Sequence, residues 1–337
     1  MLTTEEFEVR ESGPEELAAW CRVFADGQAE LSGVATEPGA PAERLRAGPG
    51  DGVRRWAARE AGRICAVADL RPQRHDPAVG FLRLTVAPRA RCRGTGAALL
   101  ARIAAEAGDR GTERIQALVP AGTPGQRFVR RWRVMLRLEL HEQRLDRDVL
   151  RRCHELAADP HPGYRVVSWQ RAAPAEWAPS FGRVMGHVLD APGAELQMAS
   201  RAWDTAAVRA WEAEMAGRRL LVSAVVHLPS CEVVGATVAT VADTGARAAD
   251  QHDTAVLPGH RSGGLARWMK ARHTLRLHEL FPEAGSVTVT VNRENAPMLA
   301  VNRMIGYRLV RERLLVETPT AGIPTAGIPT GGTGPNG

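Results

Sequence analysis

The sequence predicts an α/β protein built from two copies of one unit, and three observations carry that prediction. The chain has 337 residues, which at roughly 100 to 200 residues per domain means about two domains. The pattern V-x-P-x-x-R-x-x-G-x-[GA] occurs twice, from Val86 to Gly96 and from Val256 to Ala266. Around each copy the strand and helix signals follow in the same order.

In the first half a strand is expected over Phe7 to Arg10, running into a helix that starts at Pro14, Glu15 and Glu16. Trp56 to Glu60 and Arg63 to Asp69 flank an Ala-Gly turn and read as a β-hairpin, and Val79 to Val86 supplies another strand. Leu99, Leu100, Ile103 and Ala107 keep one apolar helix face ahead of Gly108, and Ile115 to Val119 follows as a strand. The second half repeats the series: a strand at Tyr164 to Trp169, a helix start at Pro174 to Glu176, and a hairpin of Leu220 to Leu228 with Val233 to Val241. Then come Asp253 to Leu257, a helix with Leu265, Met269, Leu275 and Leu280 on one face, and the alternating strand Val287 to Val291. The loop Asp159 to Gly163 separates an N-terminal domain, residues 1–152, from a C-terminal domain, residues 163–318. The repeated Pro-Thr-Ala-Gly-Ile of residues 319–337 has almost nothing to bury and reads as a disordered tail.

Composition excludes some function classes. Hydrophobic residues make up 44% and charged residues 24%, and no window approaches the ~20 apolar residues of a membrane span. Neither a basic nor an apolar leader region opens the chain, so a cytoplasmic location is the expectation. Five cysteines, an odd number without a C-x-x-C, suggest neither a disulfide framework nor a metal site. The net charge of +6 rests on 44 basic residues, all arginine except Lys270, which suits phosphates. Aromatic residues total only 5%, so nucleic acid is disfavoured as a partner.

Small residues placed just ahead of a helix let consecutive backbone N–H groups converge on an anion, with the helix dipole adding positive charge. Val86, Arg91, Arg93, Gly94, Thr95 and Gly96 in the first copy, and Val256, Arg261, Gly263, Gly264 and Ala266 in the second, are therefore the candidate phosphate-binding residues. Arg91 and Arg261 could add charge-assisted hydrogen bonds to the same phosphates. A lone R-x-x-G-x-[GA] arises by chance on the order of once in a chain this rich in Arg and Gly. Two extended copies, each between a strand and a helix, do not.

Strand, V-x-P-x-x-R-x-x-G-x-[GA] and apolar helix together resemble motif A of the GNAT superfamily of acyl-CoA-dependent N-acetyltransferases, whose loop binds the pyrophosphate of coenzyme A. The duplication resembles tandem members of that superfamily, such as those of the mycothiol synthase type and other actinobacterial tandem proteins, and covers most of residues 5–318. The resemblance implies two domains, each a mixed, mostly antiparallel sheet flanked by helices. It implies acetyl-CoA as donor, with other acyl-CoA thioesters open, and no metal. Asn295, Met298, Asn302, Gly306 and Tyr307 resemble motif B, N-x-x-A-x-x-x-Y-x-x-x-G-F, which adds Asn295 to the cofactor-binding candidates. The first half departs from motif B, with Phe128 to Arg133 where Y-x-x-x-G-F would stand.

Acyl transfer from a thioester needs a neutral amine, a stabilised oxyanion and a protonated leaving thiolate. The family's motif B tyrosine falls on Phe128 in one half and Asn302 in the other; Asn302 can donate a hydrogen bond to sulfur but is a poor acid. The strand that carries a base in many relatives has neither carboxylate nor histidine over Phe81 to Val86, whereas Asp250, His252 and Asp253 lie on its second-half counterpart. Asp253 is the first candidate base and His252 the second, with Asp250 and His252 on one face by alternation. Asp190 is a further candidate on a segment resembling an acceptor-side loop. Trp169, Trp177, Trp203, Trp211 and Trp268 read as core. The expected function is acetyl transfer from acetyl-CoA to a primary amine of a small molecule by a monomer or homodimer, with the C-terminal domain as the active half. A non-catalytic CoA-binding scaffold, or an acyltransferase acting on protein or tRNA, stays open.

Overall fold

The computed structural model describes residues 1–32, 45, 52–73, 76–190, 202–242 and 247–324. It divides into two compact units, one of residues 1–137 with 313–337 and one of residues 138–312.

The N-terminal unit starts with β1 (Leu2–Glu6), α1 (Pro14–Ser32) and the strands β2 (Arg54–Glu60), β3 (Arg63–Pro72) and β4 (Val79–Val86). Then follow α2 (Thr95–Gly108), β5 (Arg114–Pro120), the short α3 (Pro124–Phe128) and β6 (Arg133–Arg144). β1 to β4 pair antiparallel in chain order, and β5 joins β4 in parallel. The strand expected at Phe7 to Arg10 is displaced to Leu2–Glu6. Phe7 is instead buried and stacked on Trp20 of α1 at 5.8 Å, so its apolar surface serves a helix contact rather than a strand face.

Each face of this sheet carries one helix. α1 lays Leu17, Trp20, Cys21 and Phe24 over Ala57, Ile64 and Val67. α2 lays Leu99, Leu100, Ile103, Ala104 and Ala107 over Trp56, Ala66, Leu82 and Ile115, in the 3.6-residue period expected of it. Each fully buried leucine or isoleucine contributes about 1.5–3 kcal/mol.

The second unit takes β6 from Leu138 and runs on through α4 (Arg147–Ala157), β7 (Tyr164–Gln170), α5 (Ala178–Gly186), α6 (Thr205–Glu214), β8 (Arg218–His227), β9 (Glu232–Ala242), β10 (Ala248–Val256), α7 (Leu265–Leu280), β11 (Ser286–Asn292) and α8 (Ala296–Met304), and β12 (Arg308–Pro319) returns from Arg313 on to the first unit. β7 to β10 again pair antiparallel in order, and β11 joins β10 in parallel. Trp169 on β7 and Trp211 on α6 are buried in one core cluster with Trp177 and Trp203 packed against it, and Trp268 on α7 is buried in another.

The compact units cut across the sequence halves 1–152 and 163–318. β6 follows the first repeat yet pairs antiparallel with β11, from Leu138↔Asn292 to Arg144↔Ser286. β12 ends the second repeat yet pairs with β5, from Arg313↔Pro120 to Pro319↔Arg114. Each repeat thus gives its last strand to the other repeat's sheet, a long-range pairing with no local sequence signal. Within the tail expected from 319, Thr320–Gly322 forms a 3₁₀ turn and Ile323 is buried beside α2, because this first stretch has an apolar surface to pack against. Residues 325–337 lie outside the described residues.

The second unit's core contains Lys270, fully buried on α7 with its ammonium 5.4 Å from the Tyr307 ring centroid. Burial alone pushes Lys270 down to about 7. A base depressed in the folded state binds its proton on unfolding, so stability rises with pH above 7, until Cys153 and Tyr307, both pushed up by burial, begin to ionise in the unfolded chain. Urea unfolding should therefore show the wild type gaining on the order of 1 kcal/mol per pH unit between pH 7 and 9, and Lys270→Met should flatten that slope.

Candidate donor cleft and acid–base site

The two glycine loops have one hydrogen-bonding scheme. After β4, Pro88–Ala90 forms a 3₁₀ turn closed by Ala90 N–H to the Ala87 carbonyl at 2.8 Å. After β10, Pro258–His260 does the same, His260 N–H donating to Leu257 at 2.9 Å. Cys92 and Gly94 then take positive φ of 60° and 82°, and Ser262 and Gly264 take 70° and 79°. Gly94 and Gly264 are the helix N-caps, and the first capping bonds come from Ala98 N–H to Gly94 and Trp268 N–H to Gly264, at 2.9 and 3.0 Å. The N–H groups of residues 95–97 and 265–267 have no intrahelical acceptor and point out of the helix start, where an anion is favoured.

Arg91 and Arg261 tie these loops to the preceding strand. Arg91 Nε donates to the Val86 carbonyl at 2.9 Å, and Arg261 Nε donates to the Val256 carbonyl at 2.8 Å. Arg91 also pairs with Glu30 at 2.8 Å. The arginines proposed from sequence as phosphate ligands therefore hold the loop in shape, and the backbone N–H groups are the available donors. Arg93 is largely exposed, 4.0 Å from Glu60.

In each unit the parallel strand pair parts beyond a short register. β4 and β5 pair from Val79↔Arg114 to Leu82↔Ala117, and β10 and β11 from Ala248↔Ser286 to Gln251↔Val289; beyond that point the strands separate. In the N-terminal unit the gap opens into a cavity of about 450 Å³. Leu82, Leu84, Ala117, Val119 and Phe128 make it apolar, and Arg91, Gly94 and Gly96 close its loop end. A Cβ on Gly96 would lie 3.3 Å from Val86 Cγ2 and 3.5 Å from Phe128, so glycine keeps this neck open. A thioester arm between the strands with its pyrophosphate at the α2 start fits this shape. Thr95 is buried.

The second unit places titratable groups on β10. The pairing of β10 with β9 shifts between Gln251 and Thr254, so three residues of β10 span two of β9. This bulge interrupts the alternation at His252 and Asp253. His252 is held by Thr240 Oγ1, 2.7 Å from its Nε2, and burial keeps its pKa below the ordinary histidine value despite Asp250. It is neutral at pH 7. Asp253 is half-buried, and Asp250 is exposed and accepts from Thr288 Oγ1 at 3.0 Å. The backbone of Asp190 ends a 3₁₀ turn, but its side chain lies outside the described residues.

Motif B residues serve the helix. Asn295 Oδ1 caps α8 by accepting from Met298 N–H at 3.2 Å, and Asn302 is wholly buried, with both side-chain polar atoms lacking a partner. Asn302 thus presents no surface to a donor thiolate. Sequence reasoning missed Arg83 and Asp69, whose pairing across β4 and β3 depends on register. Among the described residues no group of three His, Cys, Asp or Glu side chains is placed to hold a metal ion, and no helix is long and apolar enough to cross a membrane.

The acetyltransferase (GNAT) family model matches residues 27–132. The structure resembles a tandem GNAT protein from the clavulanic acid biosynthesis pathway, at 21% identity and a TM-score of 0.73, over 95% of this chain and 99% of that one. It also resembles a GCN5-related N-acetyltransferase from Sphaerobacter thermophilus, at 17% identity and a TM-score of 0.65, over 95% and 96% of the two chains. A fungal glucosamine N-acetyltransferase region within a multi-domain β-N-acetylglucosaminidase is similar at 14% identity and a TM-score of 0.61, over 94% of this chain and 38% of that one. No curated protein matches the chain in sequence.

Loss of the guanidinium tie should free the loop. Arg91→Met is expected to weaken coenzyme A binding to the N-terminal unit roughly tenfold, whereas the exposed Arg93→Ala changes it about twofold, as read by calorimetric titration.

Proposed function

We propose, from the match of residues 27–132 to the acetyltransferase (GNAT) family model, that the chain transfers an acetyl group from acetyl-CoA to a primary amine of a small molecule. The observation that carries this reading is the cavity of about 450 Å³ where β4 and β5 part, closed at one end by the glycine loop and the α2 start. Both the apolar walls and the anion-attracting end match an acyl thioester of a nucleotide.

We assign donor binding to both units and transfer to the C-terminal one. In the N-terminal cleft Glu30 is the one carboxylate among the described lining residues, and it is engaged by Arg91. No free base supports deprotonation there. In the C-terminal unit the neutral His252 on the bulged strand can take the proton from the attacking amine. The nitrogen then forms the C–N bond as the C–S bond breaks, and solvent supplies the proton that the thiolate takes up. Asp253 is the second candidate for that proton.

Gly264→Glu puts a carboxylate against the α7 start at a positive φ, next to His161 and Arg267. It should abolish CoA release with any amine, while Gly94→Glu removes one bound CoA equivalent and leaves partial turnover. The reverse pattern would move transfer to the N-terminal unit. His252→Gln should lower kcat by roughly 10²-fold and remove an acid limb that lies below the ordinary histidine range in the wild type. A wild-type profile retained in the variant would leave Asp253 as the base.

A further inference from the structure

We propose that the N-terminal unit holds a binding site for a small ligand bearing a carboxylate or a phosphate, built on Arg83 and Arg55 on the α1 face of its sheet. The site goes beyond the donor reading, because it is built on side chains of the α1 face of the sheet rather than on the glycine loop, although Arg83 borders the same cavity, and it needs no turnover.

Arg55 on β2, Asp69 on β3 and Arg83 on β4 are successive cross-strand partners and share one sheet face. Asp69 is 2% exposed and is gripped by both Nε, at 2.8 Å, and Nη2 of Arg83. The Arg83 guanidinium also lies 4.7 Å from the Phe24 ring centroid, which fixes its plane, and it lines the cavity with about a third of its side chain exposed. Arg55 Nε is buried with no acceptor. Burial weakens protonation of Arg55, as do the nearby Arg83 and Arg71, with Asp69 and Cys21 opposing them.

Among the described residues, one carboxylate thus stands against the guanidinium groups of Arg55, Arg71 and Arg83 on this face. Such an excess costs free energy unless an anion relieves it, and a guanidinium fork suits planar or tetrahedral oxyanions. The cavity adds to the field. Arg83, Arg91, Arg127 and Arg130 line it, and its one described carboxylate is neutralised by Arg91.

Calorimetric titration of the full chain with succinate and, separately, inorganic phosphate at constant ionic strength tests this, with and without saturating CoA. Saturable binding of either anion that persists under CoA supports the site, and the tighter of the two identifies the group it takes. Arg55→Met should weaken that binding at least tenfold, and Asp69→Asn, which removes the competing negative charge, should tighten it at least threefold. The inference is overturned if neither anion saturates by about 10 mM, if CoA displaces the anion fully, or if Asp69→Asn leaves affinity unchanged. Should Arg55→Met fail to fold, as read by circular dichroism, the Asp69→Asn result decides alone. Loss of CoA binding in the wild type would count against the donor reading and leave the anion result standing.

Discussion

Both glycine loops depend on one hydrogen bond, from an arginine Nε to the carbonyl five residues earlier at the end of a strand. Between Arg91 and Val86, and between Arg261 and Val256, that bond closes a circuit that a 3₁₀ turn begins. It fixes where the chain re-enters a helix, and two positive-φ residues turn the N–H groups outward on the way. The single Nε–H of a partly buried guanidinium makes this bond in both loops, and in the first the charge is also met by Glu30. The sequence pattern holds the arginine at a constant distance from the valine for that reason.

The loops gain a cleft only because the strands feeding them diverge. Parallel pairing of β4 with β5 ends at Leu82, and of β10 with β11 at Gln251, so the carbonyls and amides beyond are left for a ligand. The cost of unpaired backbone is contained because the far side of each gap is closed by antiparallel pairing, β12 on β5 and β6 on β11. These closing strands come from the opposite repeats. Neither repeat, cut at the loop of residues 159–163, would therefore carry a complete sheet.

Local order was legible in the sequence wherever periodicity and turn chemistry were dense. β4 and α7 have the bounds that the residues predict, and both glycine loops fall between a strand and a helix. What was not legible depended on pairing at a distance. The exchange of β6 and β12 has no local signal, and the bulge at His252 and Asp253 appears only once β9 sets the register. Asn302 sits on the family motif yet is buried, because α8 turns that face inward, and Asn295 is spent on capping. Arg83 read as one arginine among 43; its meaning comes from Asp69 on the next strand.

The fourth strand has diverged in the two repeats, and the divergence follows from what each sheet face can tolerate. In the C-terminal unit a bulge gives His252 room to bond Thr240, and burial keeps the imidazole neutral, so it can accept a proton. In the N-terminal unit β4 runs without a bulge against β3, and Arg83 at that level is committed to a buried aspartate. A guanidinium cannot act as a base at neutral pH, whatever its neighbours. The N-terminal cleft can therefore bind and orient charged groups but has no counterpart of His252. The two copies thus keep one loop geometry, while the side chains beside it differ: a neutral histidine on the bulged strand in one, an arginine bound to a buried aspartate in the other.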